Sequence, residues 1–237
     1  MKRAIRRVSI LLVVLSICSA AQVTKPKQAS PLNPTEPPKT EEGMIAFLLP
    51  DDVAYPDRLK EVSREVAVQA LTKAQIQAKG ARAAGVAYLL LILGQEPVAS
   101  HQVLINALRS CVRDSETCDE HLIPYMSDLF LRNDHTMLAP LLDASNTTDA
   151  TVSEILGSSY QDMLIRDPRL VVAEISRRSV KEQARVCHII AAGDGSGFPE
   201  ESLADVSASL AELSRLPGPT AGTAMTCLTA IRAFVPR

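Results

Sequence analysis

The sequence predicts an all-α protein built from antiparallel helical hairpins. From about residue 41 onward, apolar side chains recur every three or four positions, which is the spacing of one helix face. No segment alternates apolar and polar residues over the length of a strand. Aromatic residues make up 3% of the chain and Trp is absent, so the apolar content of 46% is mostly aliphatic. This composition suits close packing of helices.

The first half of the chain divides into long amphipathic segments. The first predicted helix, over residues 56–80, has an apolar stripe formed by Leu59, Val62, Val66, Ala70 and Ala74. Residues 81–93 are nearly all apolar and stop at Gly94, a C-cap candidate, which predicts a central buried helix too short to span a membrane. Residues 98–112 form the next helix. The next apolar stripe is formed by Leu122, Ile123, Met126, Leu129 and Phe130. Pro124 lies within this segment and either opens or kinks its helix.

The second half is predicted to contain shorter helices with clear boundary residues. Helices are expected over residues 134–142 and 149–165. Asp167 followed by Pro168 is an N-cap with proline at the first helical position, which predicts a helix to about residue 177.

The last three helices have similar start signals. Ser179 and Glu182 form a capping-box pattern, and the helix they begin stops before the glycine-rich run 193–197. Pro199 and Pro219 start the remaining two. The connections are short, so sequential helices are expected to pack as antiparallel neighbours.

Paired amphipathic helices separated by polar turns extend over about residues 56–235. In this rhythm the chain resembles the HEAT-like α-solenoids, a class of helical-repeat proteins, and the resemblance implies extended faces suited to protein binding. No fixed-period consensus residues accompany the rhythm. An irregular helical bundle is the alternative architecture.

Residues 1–21 are typical of a cleavable secretory signal. Four cations precede about ten apolar residues, and small residues follow. We place cleavage between Ala21 and Gln22, with cleavage before Ala21 nearly as good. The alternative is a cytosolic N-terminal helix.

A second interpretation of the leader is lipidation. The residues Leu15-Ser16-Ile17-Cys18 resemble a bacterial lipobox, which implies a lipid on Cys18, although the family has Gly, Ala or Ser where Ile17 stands. Residues 22–40 are proline-rich and lack apolar periodicity, so they are expected to form an extended tether or an inconsequential tail. Residues 41–237 then form a single all-helical domain.

The charge balance excludes two classes of partner. Without the four leader cations, 21 of the 25 basic residues remain against 27 acidic ones, a net charge of −6. Nucleic-acid binding needs a basic footprint, and a polybasic grip on anionic lipid needs the same. A membrane contact is therefore expected only through a lipid anchor.

Four cysteines remain after the leader, an even number that suggests disulfides in an exported protein. Cys111 ends one predicted helix and Cys118 precedes the next, so a bridge between them would join a helix corner. Cys187 and Cys227 each lie on an apolar stripe. We favour the pairs Cys111–Cys118 and Cys187–Cys227, with two buried free thiols as the alternative for the second pair.

The search for catalytic, cofactor and metal motifs assigns no residue to such a role. The nearest metal-ligand set is Cys111, Cys118, His121 and His135, whose spacing fits no standard zinc module. In the run 193–197, Ser196 is out of register for a nucleophile elbow, and a flexible turn is the favoured interpretation.

A few acidic residues remain candidates for a glycoside-hydrolase carboxylate pair, although helix starts and polar faces also explain them. They are Glu116, Asp119, Glu120, Glu154 and Asp162.

These observations favour a non-enzymatic protein-interaction module in the bacterial periplasm or at the cell surface, with a protein partner and no cofactor. The first alternative is a secreted hydrolase that uses Asp or Glu residues far apart in the sequence. The second is a structural protein of the envelope. The sequence leaves the oligomeric state open.

Overall fold

The structure is a computed structural model. It describes Pro38, residues 40–114, Glu116, and residues 118–146 and 150–234. The expected signal peptide, its cleavage site at Ala21 and Gln22, the lipidation candidate Cys18 and nearly all of the tether lie outside the described residues.

The all-α prediction is confirmed, because every regular element in the described residues is a helix. Short 3₁₀ turns occupy Pro50–Asp52, Pro56–Glu61 and His135–Met137. The α-helices are α1 (Glu41–Leu48), α2 (Arg64–Gln77), α3 (Gly80–Ile92), α4 (Pro97–Arg113), α5 (Leu122–Leu131), α6 (Leu138–Ala144), α7 (Ala150–Arg166), α8 (Pro168–Ile175), α9 (Val180–Ala192), α10 (Glu200–Leu213) and α11 (Pro219–Phe234).

From α3 onward the helices stack in two series. The odd-numbered helices α3, α5, α7, α9 and α11 contact one another in that order, and so do the even-numbered helices α4, α6, α8 and α10. Contacts between α3 and α4, α5 and α6, α7 and α8, and α10 and α11 join the two series. Stacked helical pairs of this kind are consistent with a helical-repeat fold.

Local signals placed most of the helix boundaries. The side chain of Asp167 caps α8 by accepting a hydrogen bond from the Leu170 amide. Ser179 and Glu182 form the complete capping box of α9. The expected central helix is α3, in which residues 84–90 are all buried.

The predicted helix over residues 56–80 is wrong over residues 56–63. The backbone at Val62 and Ser63 is extended, so a 3₁₀ turn ends there and α2 begins only at Arg64. The break changes which residues face the core. Val66, assigned to the apolar stripe, is 46% exposed, and the buried positions of α2 are Ala67, Ala70 and Leu71.

Two further boundaries were left open by the sequence. Pro124 is the third residue of α5, so it opens that helix rather than kinking it. Helix α1 was not predicted as a separate element, although Thr40 caps it by accepting a hydrogen bond from the Gly43 amide.

Candidate functional site

Both expected cysteine pairs are present as disulfides. Cys111 and Cys118 join the end of α4 to the segment before α5, with their Cα atoms 4.3 Å apart. Cys187 and Cys227 join α9 to α11 across a Cα distance of 4.5 Å. These bridges leave no thiolate for a zinc ion at the Cys111 corner, so the set with His121 and His135 is not a zinc site.

The histidines of that set have other neighbours. The His135 ring packs against Phe130 at 5.1 Å between centroids, and His121 stacks near Tyr125 at 6.1 Å. Within the part of the chain that the structure describes, no group of three or more His, Cys, Asp and Glu side chains is arranged to hold a metal ion.

The glycine-rich run forms a turn after α9. Gly193, Gly195 and Gly197 all have positive φ angles, which glycine adopts without strain. Asp194 Oδ1 accepts hydrogen bonds from the Ser196 amide at 3.0 Å and from its hydroxyl at 2.6 Å. The Ser196 hydroxyl therefore stabilises the turn by its hydrogen bond to Asp194, and this contact involves no histidine that could act as a general base.

A histidine, an aspartate and a threonine meet between α4 and the turn before α6. His101 Nε2 lies 2.6 Å from Asp134 Oδ2 and 3.1 Å from the Thr136 hydroxyl. A nucleophile–histidine–carboxylate triad uses the two ring nitrogens for its two partners. Here both partners contact the same nitrogen, so the cluster fixes the turn rather than activating a nucleophile.

A second polar network joins α3 to α5. The Tyr88 hydroxyl and Arg132 Nε both donate to Asp128 Oδ2, each at 2.5 Å. Tyr88 also stacks on Tyr125 with 4.5 Å between ring centroids, and Tyr125 accepts a hydrogen bond from the Ala54 amide. Burial, reinforced by Asp128, raises the pKa of the Tyr88 hydroxyl, so the phenol stays neutral as a donor.

An open acidic cleft of about 820 Å³ lies along α5 and α7. Its wall brings together Glu120, Glu154 and Asp162, three of the five carboxylates considered from the sequence, whereas Glu116 and Asp119 are not part of it. Burial raises the pKa of the Asp162 carboxyl above its ordinary value. Among the described residues that line this cleft there is no Lys or Arg.

Asp128 and Asp194 also line the acidic cleft, and sequence reasoning missed both. Asp194 reaches it only because the turn after α9 folds back against α7. That contact is not encoded in any local pattern.

A polar cavity of about 900 Å³ lies between α1 and α2, and four of its six charged groups pair with one another. Lys73 contacts Glu41 at 2.7 Å, and Arg82 contacts Asp52 at 3.6 Å. Both cations of the lining are therefore already paired, and Glu42 and Asp51 are the carboxylates outside these two pairs.

A third concave surface is a groove of about 440 Å³ between α4 and α6, here called the α4–α6 groove. Its residues are mainly aliphatic, with two arginines and one aspartate at the edge, and they are Ile105, Leu108, Arg109, Val112, Arg113, Ala139, Pro140, Asp143 and Ala144. Leu108 is buried at 3% exposure, whereas Ile105, Val112, Ala139 and Pro140 are half-buried.

Sequence reasoning predicted both helices of this groove but not the groove itself. Helices α4 and α6 are second neighbours in the chain, and their contact depends on how the even-numbered series stacks. Arg109 and Arg113 lie four residues apart in the sequence, one helical turn on α4, but this spacing alone does not indicate a groove.

Comparison of this chain with protein-family models, curated proteins and solved structures finds no match. The structure itself defines an all-α, disulfide-bonded protein. No helix among the described residues has both the length and the apolar character needed to cross a bilayer.

Proposed function

We propose that this chain is an exported, non-enzymatic module of the bacterial envelope that binds a segment of another protein in the α4–α6 groove. The observation that carries the proposal is the groove's combination of a buried floor at Leu108 with half-exposed aliphatic walls. Grooves of this kind between two helices accept the apolar face of an added helix or peptide.

The stacked architecture supports the same proposal. Two series of helices in sequential contact are what a HEAT-like α-solenoid would form, and such folds present extended faces to protein segments. The α4–α6 groove lies between consecutive members of the even-numbered series, where a repeat protein exposes the seam between neighbouring units.

Export is supported by two independent features. Disulfides persist in oxidising compartments, and the two bridges here indicate such an environment. The leader and tether expected over residues 1–40 would deliver the domain to the periplasm or cell surface and hold it at a distance from its anchor.

The proposal is tested by affinity capture from envelope extract with the chain from Gln22 onward. Ala139→Gln places a larger polar side chain in the α4–α6 groove. The matched control Ala208→Gln makes the same change at an exposed position of α10. We expect wild type and Ala208→Gln to retain the same partner and Ala139→Gln to lose it.

Two results would contradict the proposal. One is the absence of any reproducible partner for the wild-type chain. The other is equal retention by all three proteins when their far-UV spectra and melting temperatures agree, because binding would then not use the groove.

The acidic cleft favours one second candidate, a hydrolase. Partial burial raises the pKa of the Asp162 carboxyl, which is the direction that a general acid requires. Glu154 lies two turns away on the same helix. Hydrolysis of glycan or peptide substrates by wild type, with loss in Asp162→Asn, would support this candidate. Equal rates in both proteins would exclude it.

A further inference from the structure

We infer that the segment bound in the α4–α6 groove is an acidic amphipathic helix that places two carboxylates against Arg109 and Arg113. The inference rests on the proposed function, because it specifies the chemistry of the partner at the same groove. The observations behind it are two exposed arginines at one edge of the groove, a paired aspartate at the other edge, and the apolar floor between them.

Arg109 and Arg113 supply positive charge at one edge of the groove. They lie four residues apart on α4, so their side chains project from one face of the helix, and both are exposed. No hydrogen bond or ion pair joins either guanidinium to another residue that the structure describes. A guanidinium presents a planar fork of donors that matches a carboxylate, so two adjacent forks favour an acidic partner.

The opposite edge of the groove does not cancel this charge. Asp143 on α6 is the acidic residue of the lining, and it accepts a hydrogen bond from Arg178 at 2.7 Å. Arg178 is itself held in place, since its side chain is only 9% exposed and it also donates to the Ala139 carbonyl at 3.0 Å. The Asp143 carboxylate is therefore already paired within the protein, with an arginine that also contacts Glu174 at 3.2 Å.

The floor between the two edges fits side chains rather than a small ion. Leu108 forms its buried part, and Ile105 and Val112 flank it on α4. An occupant gains by covering these aliphatic groups and by placing carboxylates beside the arginines. An amphipathic helix meets both conditions when its acidic residues are spaced by one turn.

The test uses two fluorescent helical peptides that share one Leu/Ala face. One has Glu pairs at i, i+4 beside that face, and the other has Lys at those positions. Binding is measured by fluorescence anisotropy at low and high salt. For wild type we expect the Glu peptide to bind roughly tenfold more tightly than the Lys peptide, with the difference shrinking as salt rises.

Two double variants that change the net charge equally test whether the preference for the Glu peptide depends on the arginines at the groove edge. Arg109→Glu/Arg113→Glu reverses the groove edge, and Arg215→Glu/Arg232→Glu reverses two exposed arginines on other parts of the surface. The inference expects the first variant to prefer the Lys peptide and the second to behave as wild type. Equal effects of the two variants would overturn it.

Binding in the groove and the acidic chemistry of the partner can be contradicted separately. If wild type binds both peptides equally and Ala139→Gln weakens both, the charge inference is overturned while groove binding stands. If neither peptide binds to wild type, or Ala139→Gln changes nothing, the groove itself is not the binding surface for such helices, and both are overturned.

Discussion

The backbone of Gly193 packs directly against Gly157 on α7. A Cβ atom built on Gly157 would lie 2.3 Å from the Gly193 carbonyl oxygen, which is closer than any real contact. The side chain of Gln161, one turn further along α7, closes the same contact by donating to the carbonyls of Ile190 at 2.8 Å and Gly197 at 3.0 Å. Helix α7 and the glycine-rich turn are therefore joined by close backbone packing and by two buried hydrogen bonds.

Alanine at position 157 is expected to destabilise the domain. Because the contacting atoms belong to backbone, α7 and the turn must move apart, and overpacking of this kind costs about 1–3 kcal/mol. The matched change Gly222→Ala on α11 meets no atom within 4 Å and should be neutral or stabilising by up to about 1 kcal/mol. Urea denaturation of the two variants measures both effects, and equal stability of the variants would contradict the close contact.

The buried amide of Gln161 gives a second prediction. Replacement by Leu removes both donors and leaves two carbonyl groups without partners, which should lower the free energy of unfolding by about 1–3 kcal/mol. Replacement by Glu keeps the shape but turns an acceptor toward both carbonyls. We expect the loss of stability of Gln161→Glu relative to wild type to be larger at pH 7 than at pH 4, where the carboxyl can be protonated and donate. A chemical denaturation series across that pH range checks the sign.

Much of the fold follows from local signals. Capping residues such as Ser179 and Asp167 mark helix starts because they satisfy amides that no helix can satisfy itself. Helical periodicity predicted the wrong structure for residues 56–63. Apolar residues keep a helical spacing there, although the backbone is extended at Val62 and Ser63. Nothing in the periodicity of Leu59 and Val62 distinguishes a 3₁₀ turn from the first turn of a helix.

The two disulfides are expected to differ in their contribution to stability. They close segments with sequence separations of 7 and 40 residues, for which the chain-entropy model gives about 2.5 and about 4 kcal/mol. Replacing Cys187 and Cys227 with alanine should therefore lower the unfolding free energy more than replacing Cys111 and Cys118.

Burial adds a kinetic difference between the same bridges. Cys187 and Cys227 are fully buried, whereas Cys118 is partly exposed. A mild reductant applied to the folded protein should open Cys111–Cys118 first, as measured by thiol alkylation and mass spectrometry. Reduction of the α9–α11 bridge first, or four free thiols before any reductant is added, would contradict this arrangement.

The raised pKa of Asp162 predicts how stability changes with pH. Burial makes the carboxyl ionise in the unfolded chain before it does so in the native protein, so stability is lost as pH rises above its ordinary pKa of 3.8. Asp162→Asn removes this loss. The variant should match wild type in stability near pH 3 and exceed it at pH 7.

Asp194→Asn is the control of opposite sign. Hydrogen bonds from Ser196 lower the pKa of the Asp194 carboxyl below its ordinary value of 3.8. The ionised form therefore stabilises the native turn above pH 3.8, and this stabilisation is lost as the pH falls through the lowered pKa. The variant should be less stable than wild type at pH 7, and the difference should vanish in acid. Thermal melts at both pH values compare the two variants, and shifts of the same sign in both would contradict these assignments.

The candidate sites were less predictable than the helices. The cysteine pairing followed from helix ends and apolar stripes, which are local features. The α4–α6 groove and the acidic cleft depend on contacts between helices that are not adjacent in sequence, such as α4 with α6 and α5 with α7. In the sequence, Arg109 and Arg113 look like ordinary surface residues. Only the structure shows that they line the same groove as Ala139 and Pro140.

Site-specific photo-crosslinking in living cells tests binding in the α4–α6 groove most directly. A photoreactive amino acid replaces Asp143 in one variant and Ala208 in another, since the first position is exposed at the edge of the groove and the second is exposed on α10. We predict one discrete protein adduct from position 143 and none from position 208. No adduct at position 143, or the same adducts from both positions, would contradict binding in the groove.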